Sequence, residues 1–181
     1  MKIDPQRSVA WLKNRIANEP NPRHAAMLEN YLQHLYCEVH GDLEAIMATL
    51  VPEPEYHFHN PQSSGEGPKG NAEVRQFYIN LFTTRSNVLE RHFKRVIVTD
   101  DYIVSEGHMD HVYPGKLLAS RGSPVDPDAW YLATYPILAI LPYVGEGTDV
   151  LMFGEDTYTV GFPPVEKLVK VAPEDMPDLL K

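Results

Sequence analysis

The chain has 181 residues, 43% of them hydrophobic and 23% charged. That balance suits one domain with a single core and argues against disorder. A formal net charge of -9 and a pI near 5.3 speak against nucleic acid or an anionic membrane as partner, because both require clustered Lys and Arg. The single cysteine, Cys37, excludes an internal disulfide and fits a reducing compartment. No apolar run reaches transmembrane length, and Met1-Lys2-Ile3-Asp4-Pro5 has no apolar leader, so a cytoplasmic protein is expected.

Ser8 to Asn18 reads as a short helix with Val9, Leu12 and Ile16 on one stripe. Glu19-Pro20-Asn21-Pro22 breaks it, and Asn21 can cap a second helix with Pro22 at its first position. That helix carries Met27, Leu28, Tyr31, Leu32, Leu35, Tyr36 and Val39 at helical spacing and stops near Gly41. Its apolar setting makes Cys37 a small core residue. Asp42 starts a third helix with Leu43, Ile46, Met47 and Leu50, ended by Pro52. Tyr56 to Asn60 is a short strand, and Pro61 to Gly70 a loop rich in Pro, Gly and Ser. This loop lacks the Gly-Lys-Ser/Thr ending of a phosphate-binding loop and reads as a mobile rim. Asn71 is expected to cap a helix with Val74, Phe77, Tyr78, Leu81 and Phe82 inside.

The pattern then changes to strands. Val88 to Thr99 and Tyr102 to Tyr113 flank a tight turn at Asp100-Asp101. Arg91 to Arg95 form the one basic patch, which alternates along a strand and is expected to be a solvated face. Pro114 to Asp128 is a long polar connection, the length of a lid or an interface arm. Trp130 to Tyr143 and Val150 to Val160 make a second hairpin, and Gly161 to Lys181 looks like a wrapping tail. No internal repeat is visible, so residues 1–181 read as a single domain. Helices first and long hairpins afterwards give an α+β plan, in which a curved antiparallel sheet wraps the N-terminal helices around a pocket.

Four of the eight histidines fall in two short strand stretches, Glu55 to Asn60 and Glu106 to His111. At strand periodicity His57 and His59 share a face, and so do Glu106, His108 and Asp110. Such a face is either solvated or the lining of a polar pocket. A carboxylate beside an imidazole raises its basicity and fixes its tautomer, which is what a general base needs. His108 with Asp110 is therefore the leading acid–base candidate, although side chains at i and i+2 sit about 7 Å apart and must lean together. The alternative is a polar outer strand face with Met109 and Val112 on the buried side. His57 and His59 have the spacing of a metal-binding pair, but a chain that opens with helices does not match an all-β metal frame, and no metal is expected. Tyr56 and Tyr78 are candidate donors to a substrate carbonyl or plain core residues. Trp130 and Tyr131 can close over a ligand or pack on a second subunit.

Several phrases, in order, resemble the nuclear transport factor 2-like superfamily and within it the polyketide-cyclase-like (SnoaL-like) proteins. They are Gly41-Asp42-Leu43-Glu44-Ala45-Ile46-Met47, Tyr56-His57-Phe58, Val74-Arg75-Gln76-Phe77-Tyr78, the hairpin over Asp100-Asp101, and Gly147 to Tyr158. The resemblance spans about residues 22 to 160. It implies a cone-shaped α+β fold with a deep pocket, dimerisation through the outer sheet face, and acid–base chemistry by His, Asp and Tyr without an organic cofactor. In such proteins an acidic residue often stands where Asp156 does, near the pocket floor or the barrel end. The sequence lacks the Arg-x-Asp pair of the epoxide hydrolases, and Asn60-Pro61 stand where ketosteroid isomerase keeps its base.

The expectation is thus a cofactor-independent lyase or isomerase acting on a small apolar hydroxylated or carbonyl compound. His108, Asp110, His57 and Tyr56 would be catalytic, and His59, Tyr78, Trp130 and Asp156 would contact substrate. The alternative is a non-catalytic ligand-binding or dimerisation module on the same fold. Whether His108, Asp110 and His57 converge in one cavity decides between them. A homodimer is expected because Leu138, Ile140 and Val150 would otherwise leave an apolar sheet face in water.

Overall fold

Asn21 and Gly41 bound the longest helix of the protein, as their chemistry dictates. In the computed structural model, which describes residues 3–180, the Asn21 side chain accepts from the amides of Arg23 and His24, and Gly41 ends α2 (Pro22–His40) in the left-handed conformation at φ 71°. A residue with a Cβ would be strained there. Helix α1 (Pro5–Ala17) starts earlier than its apolar stripe suggested, because Asp4 caps it and Pro5 fits its first turn. Helix α3 (Leu43–Met47) is a short turn capped by Asp42. Helix α4 (Gly70–Thr83) corrects the expected start: Asn71 is not its cap. Lys69 stands there without a side-chain bond, and Glu73 reaches back to accept the Lys69 amide.

The strands are β1 (Leu50–Asn60), β2 (Ser63–Ser64), β3 (Leu89–Val98), β4 (Tyr102–Pro114), β5 (Trp130–Glu146), β6 (Asp149–Thr159) and β7 (Val169–Lys170). A six-residue helix, α5 (Gly115–Ser120), lies within the long polar connection. The sheet runs β2-β1-β6-β5-β4-β3, with β7 added to the start of β5. It is curved and unclosed. One pairing departs from an all-antiparallel expectation: β1 and β6 are parallel, so the sheet is mixed. Strand β1 also extends back through Pro52 and Pro54. Neither proline can donate to a ladder, and the β1–β6 register skips between Leu50 and Glu55 to accommodate them.

Helix α2 packs on β6, α4 on β1 and α1 on β3. The main core lies between helices and sheet and includes Leu12, Met27, Leu28, Ile46, Tyr56, Val74, Tyr78, Ile103, Leu141 and Met152. Burying each such side chain contributes about 1.5–3 kcal/mol. The edge strand β3 is covered by α1, whose Ser8 hydroxyl donates to the Arg91 carbonyl and accepts the Arg91 amide at 2.8 Å. The C-terminal tail wraps as expected: Leu180 joins Ile3, Val88 and Val112 in a second cluster. No described helix is long and apolar enough to cross a membrane.

Candidate functional site

The helical stripe of α2 that faces the sheet is not wholly apolar. Tyr31, His34, Leu35 and Glu38 follow each other at three- and four-residue intervals, which stacks them on one face. Opposite them stand Leu89 and Arg91 from β3, Met109 from β4, Ile137, Ala139 and Leu141 from β5, and Glu155 and Thr157 from β6. Together they enclose a cavity of about 60 Å³. The small side chain of Ala139 leaves room on the floor. Glu155 turns inward because β6 shifts register against β5 between Ile140 and Tyr143. At that point a Cβ on Gly154 would run into the Glu55 carbonyl, so the irregularity that aims Glu155 requires glycine beside it.

His34 is 1% exposed and fully bonded. Its Nδ1 lies 2.7 Å from Thr49 Oγ1, and the Thr49 hydroxyl donates its own proton to the Ile46 carbonyl. Nδ1 must therefore carry a proton and donate. Nε2 faces two partners, Tyr78 Oη at 2.9 Å and Glu155 Oε1 at 3.2 Å. The Tyr78 hydroxyl in turn lies 2.7 Å from Tyr56 Oη. The imidazole edge and the Glu155 carboxyl thus face each other on the cavity wall.

Among the described residues the Glu38 side chain has no hydrogen-bond partner of this kind. It is half-buried because it lines the cavity, and burial, with the Glu155 charge second, pushes its carboxyl up to about 8; Arg91 acts in the opposite direction. Arg91 is 7% exposed. Its Nη2 donates to Ser105 Oγ at 2.9 Å, and its Cζ sits 5.7 Å from the Phe93 ring centre. The reading of Arg91 to Arg95 as one solvated face is corrected. Alternation from Leu89 turns Arg91 inward, whereas Lys94 and Arg95 stay outside and pair with Glu106.

The structure does not bring His108, Asp110 and His57 together. Met109 and His111 point inward on β4, so the strand's faces are the reverse of the catalytic expectation. His108 is exposed and borders an open groove on the outer sheet face with Lys94, Glu106, Leu138 and Tyr158. Asp110 is 4% exposed, but it bonds His92 Nε2 at 2.9 Å and Thr134 rather than His108. His57 is also on the outer face, with Nδ1 2.6 Å from Asp156 Oδ1, and His59 stacks on Tyr158 at 4.4 Å. The Asp156 carboxylate thus orients an imidazole outside the cone rather than marking the pocket floor. Trp130 lies under the Arg85 guanidinium, 5.3 Å from its Cζ, at a surface groove. Tyr56 and Tyr78 are core residues, joined to the cavity only through His34. Cys37 is buried, and burial raises its thiol.

The other inward imidazole, His111, is held neutral. Its Nε2 donates to the Ser86 carbonyl at 2.7 Å and Nδ1 accepts from the Tyr113 hydroxyl at 2.8 Å, with Tyr135 Oη, which donates to Met109 Sδ, 3.0 Å away. Burial lowers its pKa to about 4.

No family model matches the chain, and no curated protein does. Solved structures do. A SnoaL-like polyketide-cyclase-like protein of Jannaschia sp. CCS1 aligns at TM-score 0.57 and 17% identity over 78% of this chain and 90% of its own. A ketosteroid isomerase-like protein of Erwinia carotovora atroseptica aligns at TM-score 0.55 and 16% identity over 78% and 98%. An NTF2-like protein of Anabaena variabilis gives 0.55 and 10% over 80% and 94%. The protein has the nuclear transport factor 2-like fold, shared with ketosteroid isomerase-like and SnoaL-like structures. At these identities the likeness concerns fold, and activity has to be argued from the site.

Proposed function

We propose that the protein is a cofactor-independent isomerase or lyase whose acid–base centre is the interior cavity, with Glu38 in the role first given to His108. The observation that carries this reading is the Glu38 carboxyl, which burial pushes up to about 8, in one cavity with a His34 imidazole and a Glu155 carboxyl 3.2 Å apart. A general acid or base works best when its pKa lies near the operating pH, and enzymes reach this by burying a carboxyl beside another. Glu38 removes or delivers a proton at a carbon next to a carbonyl or hydroxyl, and the His34–Glu155 pair delivers or removes one at the other end. Tyr78 and Tyr56 extend that pair into the core and fix the imidazole. Both phenols are pushed well above their ordinary range, chiefly by burial, so they stay protonated and serve as donors.

The test follows proton exchange. Small carbonyl and hydroxy compounds are incubated with the protein in D₂O, and deuterium incorporation or loss of water is read by NMR. Glu38→Gln should lower the rate by about 10²–10⁴, whereas His108→Ala on the outer face should leave it unchanged. The reverse pattern would return the chemistry to β4. A purely binding role is favoured by the cavity's small volume; on that reading Glu38→Gln would bind the same compounds with no turnover in either protein.

A second copy of the chain is proposed to cover the outer sheet face. Ile97 and Tyr158 are exposed there, beside the half-buried Val104, Leu138 and Ile140. Val150, also named for this face, points into the core instead. Light scattering at micromolar concentration should give twice the 20.5 kDa of one chain; a species of single-chain mass would refute the dimer.

A further inference from the structure

Arg91 presents a problem that the acid–base reading does not solve. A guanidinium keeps its charge at every accessible pH, and a buried charge without a partner is costly. Yet among the described residues Arg91 Nε has no hydrogen-bond partner, and no carboxylate lies within ion-pair distance of the group. The Ser105 hydroxyl and the Phe93 ring are its neutral company. The backbone at Arg91 is meanwhile fastened on both sides by Ser8, so the side chain is presented from a fixed position on the cavity wall.

We propose that the cavity accepts a small carboxylic acid in its ionised form, with one carboxylate oxygen on Arg91 Nε and the acid's substituent directed toward Glu38 and His34. This rests on the reading of the cavity as the working site and names its substrate class. A guanidinium fork matches a carboxylate in shape and charge. The charge balance agrees. The groups facing the site are Arg91, Glu38, Glu155, His34 and Tyr31. Glu155 lies against His34 Nε2 at 3.2 Å, Tyr31 is kept protonated by burial, and Glu38 holds its proton at neutral pH. Among the described residues Arg91 is left with no carboxylate of its own. Size sets the rest: 60 Å³ holds roughly four water-sized groups, which suits acids of the size of acetate, glycolate or pyruvate. Apart from Thr157, the remaining lining (Leu35, Leu89, Met109, Ile137, Ala139 and Leu141) is apolar and offers a longer polar chain nothing to bond.

Acetate and its neutral isostere acetamide are the probes, titrated into ¹⁵N-labelled protein while the Arg91 Nε–H resonance and acetate line widths are followed. Acetate should shift that resonance saturably, and acetamide should bind at least about tenfold more weakly, as expected when a charge-assisted bond becomes neutral. Acetate binding should weaken as pH rises from 6.5 to 9, because Glu38 ionises and cancels the free charge; in Glu38→Gln it should not depend on pH over that range. Arg91→Met should abolish binding. Should Arg91→Met fail to fold, Arg91→Lys, which keeps the charge and loses the fork, should retain the fold and bind several-fold more weakly. Equal binding of acetate and acetamide, or a silent Arg91 resonance at high millimolar acetate, would overturn the proposal. It fails separately from the catalytic reading: silent acetate with a Glu38-dependent rate sinks only the substrate class, and Arg91-dependent acetate binding with a Glu38-independent rate sinks only the acid–base assignment.

Discussion

Glu38→Gln is expected to raise the melting temperature above pH 8 and to remove the decline in stability between pH 6.5 and 8. The sign follows from linkage. An unfolded Glu38 ionises near its ordinary 4.5, whereas the folded carboxyl holds its proton to about 8. Between those values the folded state carries a proton the unfolded chain has released, so stability falls as pH rises and levels off above 8. His111 works the other way. Its folded value of about 4 lies below the ordinary 6.5, so its contribution is complete above 6.5 and is lost as pH falls toward 4. From 4.5 to 6.5 the two slopes oppose each other and cancel. From 6.5 to 8 Glu38 acts alone, and the loss is on the order of 2 kcal/mol. Gln keeps the shape of Glu38 and never ionises. The variant should therefore be flat from 6.5 to 9 and should show the His111 slope uncovered below 6.5. Melting curves from pH 4 to 9 check this. Parallel curves for the two proteins would mean that Glu38 ionises normally, and the proposed acid–base centre would lose its basis.

The sequence made the scaffold readable because local chemistry and tertiary packing agree. Asn21-Pro22 and Gly41 delimit α2, Asp100-Asp101 turns the β3–β4 hairpin, and the apolar stripes face the sheet they cover. What it concealed was which strand face looks inward. The stretch Glu106 to His111 is polar on one face and mixed on the other, and periodicity alone does not choose between them. Met109 was the available clue, since it and His111 share the inner face. Glu38 and His34 were also within reach. They sit four residues apart on the very stripe read as apolar, and polar side chains at i and i+4 on a buried helix face signal a site. Arg91 was masked by its neighbours: five consecutive residues with three basic side chains suggest a surface. Only the register from Leu89 shows that the first of them turns inward. Glu155 had no sequence signal, because its direction depends on a register shift between β5 and β6.

His34→Ala should be among the most destabilising single changes in the chain, costing about 3 kcal/mol. Three losses combine. The imidazole is 1% exposed, and its removal enlarges a cavity that the α2 helix cannot close, since Tyr31 and Leu35 already hold the helix against the sheet. Tyr78 Oη loses its acceptor and keeps only Tyr56. Glu155, half-buried, loses the imidazole that faces it at 3.2 Å. For a chain of this length the cost corresponds to roughly 6–12 °C in melting temperature. His34→Gln should recover part of it, because an amide can bond either Thr49 or Tyr78, though not both in the geometry of the ring. His40→Ala supplies the control. That histidine is exposed, stacks on Tyr36 and among the described residues bonds only the Tyr36 carbonyl, so its loss should stay within about 0.5 kcal/mol. Urea unfolding with an unchanged slope would assign the differences to the folded state. If His34→Ala were as mild as His40→Ala, the hydrogen bonds to Thr49 and Tyr78 and the approach to Glu155 would not constrain the imidazole, and His34 would not be held at a fixed place in the cavity wall.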